Sequence, residues 1–351
     1  MIEISNKILS LIENSKSSVA KYANSAMVFT YFQIGKILVE EFQNGQNRAE
    51  YGSKLLQNIS NDLIHKGLKG FSVQNLERMR NFYAVYSISS NELRNSAHFQ
   101  NSSNVLRISE NEDKNIKILP ISWSHYLFLM RIENEKERQF YELETYLNQW
   151  KLKDLERQFN SGLFERISVS KNPEEIKKLI QEGQIIENPS DILKEPYILE
   201  FLGLEEKAVY SETDLETAII NEIERFMLEL GKGFFFGGRQ VRFTFEEDHF
   251  KVDLVFYNRL LQCFVLIDLK IGKLSHQDIG QMQMYVNYYD RFIKTEKENK
   301  SIGIILCKDK KQTMVEITLP ENNTQIFASK YKTILPSKEE FKELLNEYES
   351  K

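Results

Sequence analysis

Apolar residues in the first part of the chain recur at the helical period. Ile8, Leu11 and Ile12 open an amphipathic segment, and Val28, Phe29, Tyr31, Phe32, Ile34, Ile37 and Leu38 continue it over Ala26–Phe42. Leu55, Leu56, Ile59 and Leu63 mark a second helix over Tyr51–Ile64. Lys66-Gly67-Leu68-Lys69-Gly70-Phe71 reads as a turn, and Ser72 suits the N-cap of a helix over Val73–Tyr86. That helix would bury Leu76, Met79, Phe82, Tyr83 and Tyr86 and expose Gln74, Asn75, Arg78 and Asn81. A helix, a glycine turn and a capped helix with polar side chains outward is how a DNA-binding helix-turn-helix reads, with Asn75 and Arg78 as its contacts. An ordinary helical hairpin with a solvated face gives the same pattern. Residues 87–118, rich in Ser, Asn and Glu, read as a flexible insertion. Helices resume over Trp123–Met130, Asn134–Trp150 and Lys153–Phe159.

Pro173, Pro189 and Pro196 then cluster, and they place a linker at about 171–200 between a helical domain over 1–170 and a second domain over 201–351. Tyr197–Leu204 is a short apolar piece expected to dock on the second domain. Asp214–Leu230 reads as one helix with Ile219, Ile220, Ile223, Met227 and Leu230 as its stripe. At 100° per residue Glu216 falls in the middle of that stripe, while Glu222 and Glu229 point away. A carboxylate on a core face is costly unless bonded or coordinated, although the first turn of a helix also favours acids.

After residue 234 the period changes. Gln240–Phe245 alternates polar and apolar, Glu246-Glu247-Asp248 breaks the pattern, and Phe250–Tyr257 is apolar except for Lys251 and Asp253. Asn258-Arg259 is a second break, and Gln262–Leu269 is a nearly continuous apolar run suited to a central strand. Two short connections between three strands imply an antiparallel meander. Ile302–Cys307 reads as a further buried strand and Phe341–Tyr348 as a terminal helix.

The polar residues inside these apolar runs carry the chemistry. Asp268 and Lys270 end one strand and share a face, and in a curved meander Asp253 can lie beside Asp268. Adjacent carboxylates raise each other's pKa unless a cation sits between them, and hard oxygen ligands suit magnesium or manganese. Lys270 would add a fixed positive charge. Taken alone, Asp-x-Lys at a strand end is usually a solvated end. The following segment, His276–Lys294, carries Ile279, Met282, Val286 and Tyr289 at helical spacing, with Gln281 and Tyr285 on one face.

Composition limits the choices. The chain has 351 residues, 41% hydrophobic and 28% charged, which fits a globular protein with two domains. The absence of an 18-residue apolar run and of a signal-peptide pattern leads to the expectation of a cytoplasmic protein with no membrane partner. Cys263 and Cys307 fall in predicted strands and read as small core residues, and the five histidines show no ligand spacing for zinc. His125, beside Trp123 and Tyr126, reads as a core or capping residue. A net charge of −5 weighs slightly against a nucleic-acid partner without excluding a basic face.

Asp253, then Asp268-Leu269-Lys270, then Gln281-x-x-x-Tyr285 resembles the PD-(D/E)xK nuclease core with the glutamine–tyrosine helix of its RecB-like members. Gly238-Arg239-Gln240, Asp253-Leu254-Val255-Phe256-Tyr257, Leu269-Lys270-Ile271-Gly272 and Gly280-Gln281 are similar to the motifs of the YhcG-like nuclease family. Val252 stands where the superfamily name has proline, and Asp268 where the subfamily more often has glutamate. In the first part, Arg48-Ala49-Glu50-Tyr51-Gly52, Gly70-Phe71-Ser72 and Trp123-Ser124-His125 resemble that family's N-terminal domain. The resemblance implies an α+β two-domain protein, with an all-α, winged-helix-like N-terminal domain and a restriction-endonuclease-like α/β core. It implies a Mg2+- or Mn2+-dependent phosphodiesterase acting on double-stranded or branched DNA, with Asp253, Asp268 and Glu216 on the metal and Lys270, Gln281 and Tyr285 completing the site. Arg239 and Gln240 would be candidates for phosphate contact, although Arg239 could equally be a structural ion pair. A homodimer is compatible with the sequence. An RNA nuclease, or a nucleic-acid-binding protein that kept the fold and lost catalysis, would share these features.

Overall fold

The computed structural model describes residues 2–44, 49–88, 106–107, 117–168, 172–204, 210–245 and 247–336. Two units emerge, one formed by 1–159 with 172–184 and the other by 160–171 with 185–351. Among the described residues no helix is long and apolar enough to cross a membrane.

The first unit is helical. α1 runs without a break over Ile2–Asn44, because no proline and only one glycine, Gly35, interrupts those residues. Gly35 is where α3 (Val73–Ile88) comes closest: a Cβ there would lie 2.1 Å from the Met79 carbonyl oxygen. α2 (Ala49–His65) joins α3 through Gly67 and Gly70, both at positive φ, where glycine carries no Cβ penalty. Ser72 caps α3, accepting from the Asn75 amide at 3.4 Å. Phe82 is fully buried and its ring meets those of Phe32, Tyr86, Trp123 and Tyr126. In the segment read as a flexible insertion, Leu106–Arg107 pairs antiparallel with Lys117–Ile118, so at least those four residues are ordered as strands (β1 and β2). Five further helices follow along the chain, α4 (Trp123–Leu129), α5 (Glu135–Asn148), α6 (Leu152–Asn160), α7 (Leu163–Ser168, counted with the second unit) and α8 (Pro173–Glu182).

The second unit is a six-stranded mixed sheet. Its strands are β3 (Tyr197–Ile198), β4 (Phe234–Phe245), β5 (Asp248–Asn258), β6 (Cys263–Lys273), β7 (Ile302–Asp309) and β8 (Ile326–Lys332), in spatial order β3-β8-β7-β6-β5-β4. β4, β5 and β6 form the expected antiparallel meander. β4 starts six residues earlier than its alternation suggests, at Phe234 rather than Gln240, because a bulge between Phe236 and Gly238 interrupts the period. Asn258 closes the β5–β6 turn, its Oδ1 accepting from the Leu260 and Leu261 amides and its Nδ2 donating to the Lys232 carbonyl. A helix over His276–Tyr288 then crosses to β7, which lies parallel to β6. The terminal helix expected over Phe341–Tyr348 lies outside the described residues.

The helix read as Asp214–Leu230 is two helices, Glu212–Asn221 and Ile223–Leu230, with Glu222 out of helical geometry at φ −114°, ψ 31°. This break corrects the assignment of Glu229. A continuous helix would point Glu229 to solvent, but the second helix is turned so that Glu229 is fully buried. Its Oε1 accepts from Arg166 Nη1 at 2.6 Å and from the Ile198 amide at 3.0 Å. Arg166, also buried, donates further to the Ser161 and Pro196 carbonyls.

Such a pair is weak evidence for stability as a whole, but removing one partner strands the other charge. Arg166→Met should therefore cost about 3–5 kcal/mol in urea unfolding, and the Arg166→Met/Glu229→Met double variant should recover most of it. A double variant no more stable than the single one would show that the pair is favourable in itself.

Candidate active site

Three elements converge at the end of the meander. α9 is the helix Glu212–Asn221, with a capping box between Ser211 and Asp214, and α10 is Ile223–Leu230. α11 is His276–Tyr288, with a second capping box between Ser275 and Asp278. Both boxes fix helix N-termini by satisfying their free amides. Leu215 and Ile219 of α9 join the core on one face of the sheet, and Ile279, Met282 and Val286 of α11 join the core on the other. Gly303 of β7 admits Met282, whose Sδ lies 2.5 Å from where a Cβ would be.

Asp253 and Asp268 meet across the β5–β6 ladder. Leu254 pairs with Ile267, and the same register carried one step further sets Asp253 opposite Asp268. Asp253 Oδ2 accepts from the Leu269 amide at 2.9 Å. β5 also turns over at this point. Leu254 and Phe256 pack in one core, yet Val252 and Phe250 pack in the other, where strict alternation would keep all four on one face. Across β4, Gln240 has a left-handed φ of 46°.

Asp268 is 2% exposed and Lys270 Nζ stands 2.9 Å from its Oδ2, an ion-pair contact without hydrogen-bond alignment. Glu212 at 3.8 Å and Asp278 at 4.0 Å also face Lys270 Nζ. Burial, and then the Asp253 charge, push the Asp268 carboxyl up to about 7. Asp253 is raised as well, chiefly by burial and against the Leu269 amide and Lys270. Burial opposes the charge on Lys270, but the Asp268 carboxylate and its neighbours outweigh it and hold the ammonium above its usual range.

The remaining candidates have partners within the protein. Glu216 is on the core face as expected, 3% exposed, but its Oε1 accepts from Arg239 Nε at 3.1 Å and its Oε2 from Gln240 Nε2 at 2.6 Å. Arg239 and Gln240 therefore both hold Glu216, and the Arg239 side chain is still 41% exposed. Gln281 donates to the Tyr285 hydroxyl, which donates to the Lys251 carbonyl at 2.8 Å. This pair ties α11 to β5 beside the two aspartates. Asn75 and Arg78 lie in the first unit, half-buried and bonded to each other, with Asn75 also on the Gly70 carbonyl. Glu212 and Asp278 were not singled out from sequence. The Ser275-x-x-Asp278 box just after Asp268-Leu269-Lys270 was the available signal for Asp278.

A divalent cation fits part of this arrangement. Asp253 and Asp268 are hard donors that repel each other, and Asp268 Oδ2 has no aligned hydrogen-bond donor. Each Glu216 oxygen already accepts one hydrogen bond, from Arg239 or Gln240. Among the described residues no three His, Cys, Asp or Glu side chains come together to hold a metal, and magnesium is commonly held by one or two carboxylates with water and substrate phosphate.

The raised carboxyls make a prediction for metal-free protein. A folded-state pKa above the unfolded value means that folding takes up protons in the window between them. The contribution of Asp268 is full below about pH 4 and is lost as the pH rises through about 7. In EDTA, the melting temperature of Asp268→Asn should fall less than that of the native protein between about pH 5 and pH 8. Parallel pH profiles would remove the proposed crowding.

Residues 190–346 match the family described as the YhcG PDDEXK nuclease domain, and residues 7–166 match the DUF1016 N-terminal domain. A protein of Escherichia coli (strain K12) named "Putative nuclease YhcG" is 35% identical over 347 residues, covering 95% of this chain and 90% of that one. Two solved structures are more distant. A repair endonuclease from Pyrococcus abyssi has a TM-score of 0.25 and 16% identity, covering 38% of this chain and 50% of that chain. A complex of EndoMS with double-stranded DNA has a TM-score of 0.26 and 18% identity, covering 38% and 49%. Similarity of that degree decides nothing about this chain. The near full-length identity does: with a helical first unit and a restriction-endonuclease-like mixed sheet carrying Asp253, Asp268 and Lys270, this chain belongs to the YhcG family of PDDEXK nuclease-domain proteins.

Proposed function

We propose that the second unit hydrolyses phosphodiester bonds, with DNA as the substrate and magnesium or manganese as the cofactor. The observation that carries this reading is the Asp253 carboxylate bonded to the Leu269 amide beside Asp268, with Lys270 against Asp268. A divalent ion held by the two aspartates would polarise the phosphate and make water a better nucleophile.

The chain's own residues have separate tasks. Asp253 and Asp268 supply the negative pocket, and the Leu269 amide keeps Asp253 turned toward it. Lys270 remains charged and offers a single donor to an attacking water or a phosphate oxygen, offsetting charge that develops in the transition state. Glu212 and Asp278 hold the ammonium from the far side. Gln281 and Tyr285 position the edge of β5, and Arg239 and Gln240 keep Glu216 in place. This reading draws on the second unit alone.

Asp253→Asn should abolish metal-dependent cleavage of supercoiled and linear DNA while leaving the fold intact, with metal-free stability equal or slightly higher once the repulsion is relieved. Full activity in this variant would discard the assigned site. Running the same assay on RNA separates the two substrates.

Lys270 can be tested by shape as well as charge. Arg keeps the charge but brings a planar fork in place of a compact ammonium. If Lys270 positions the attacking water, both Lys270→Arg and Lys270→Met should lose roughly 10²-fold or more in kcat. If it only balances charge, Lys270→Arg should keep most of the rate. An active Lys270→Met enzyme would remove both roles.

A further inference from the structure

Beyond Asp253 the sheet narrows to a ribbon. β6 pairs with β5 only over Leu254–Asn258, whereas β4 and β5 continue to pair out to Phe245 and Asp248. This two-stranded arm starts at the proposed catalytic carboxylate. One side of it is apolar: Val241 opposite Val252 and Phe243 opposite Phe250 pack in the same core as Tyr285 and Tyr288. Phe243 stacks on Tyr288 with ring centroids 4.0 Å apart. The other side is polar, because alternation sets the intervening pairs outward. There Arg242 faces Lys251 and Thr244 faces His249, with Thr244 Oγ1 and His249 Nδ1 2.9 Å apart.

Arg242 and Lys251 are the anomaly. Like charges directly across a ladder are unfavourable unless something answers them. Arg242 is exposed and Lys251 half-buried, and among the described residues neither lies within ion-pair distance of a carboxylate. Among the described residues of the arm, the acidic Glu247 and Asp248 sit at its exposed tip, past the cationic pair. Arg239 and Lys270, by contrast, are each committed to carboxylates.

We propose that the polar side of this ribbon binds the sugar–phosphate backbone of a DNA duplex beside the cleavage site, with Arg242 and Lys251 on phosphates. The inference rests on the nuclease reading, since the ribbon would hold the same substrate that Asp253 and Asp268 act on. Charge complementarity selects the partner: two adjacent cations with no carboxylate in ion-pair range among the described residues match a polyanion whose charges repeat at regular spacing. A two-stranded ribbon is also of a size that DNA grooves admit.

The test uses the full chain with Asp253→Asn and magnesium, so that binding is read without cleavage, on a fluorescent DNA duplex over a range of salt. Adding Arg242→Ala and Lys251→Ala should weaken binding on the order of tenfold or more at about 0.1 M salt, and should lower the slope of log K against log salt by about two. Arg242→Lys with Lys251→Arg should restore both. Arg259→Ala with Lys300→Ala, an exposed pair at the other end of these strands, should leave the slope within about half a unit. An unchanged slope in the first variant, or an equal drop in the control pair, overturns the ribbon assignment while wild-type cleavage leaves the nuclease reading standing. Wild-type protein that neither binds nor cleaves DNA overturns both.

Discussion

Two carboxylates brought together by a strand register set the terms for the rest of the second unit. Asp253 and Asp268 face each other across β5–β6 in a place where water reaches them poorly, and both are pushed toward their neutral forms. Everything around them offsets that cost. Lys270 sits on Asp268, the Leu269 amide sits on Asp253, and a divalent cation would complete the balance. A protein built only for stability has no use for such a cluster, since apolar residues of similar volume would do as well. That makes the crowding itself the functional signal.

The same logic separates the two buried acids nearby. Glu216 and Glu229 are both inside the unit, and each has a guanidinium and a second donor. Their charges are answered by the protein. Asp268 has an oxygen that is buried and poorly aligned with its one cation. Of these four acids, Asp253 and Asp268 are the pair suited to an external cation. The frame that holds them is rigid because both flanking helices, α9 and α11, start from capping boxes and pack on opposite faces of the sheet.

Local pattern was enough to find much of this. Alternation placed Asp268 and Lys270 on one face, the apolar run around Asp253 marked it as out of place, and helical spacing put Gln281 and Tyr285 together. Those inferences succeed because side-chain direction within one element depends only on its period. They fail where the period itself is interrupted. The break at Glu222 sent Glu229 inward, the bulge near Gly237 hid the first half of β4, and the turnover at Asp253 moved Val252 and Leu254 to different cores. None of these interruptions has a proline, and only the bulge has a glycine at it to announce it.

From the sequence alone came most of the helices, the β4–β6 meander and β7, the division into a helical part and a mixed α/β part, and the choice of Asp253, Asp268 and Lys270 as candidates, because each depends on residues near in sequence or on a motif. Tertiary structure decided which partner each buried charge takes. Glu216 takes Arg239 and Gln240, Glu229 takes Arg166, and Lys270 gains Glu212 and Asp278. Arg242 and Lys251 are left facing each other on a ribbon free of the sheet. The physical reason is that a charge interacts over distance with whatever folding brings within a few ångströms, and the chain positions that supply those neighbours are separated by 23 to 63 residues in the buried pairs.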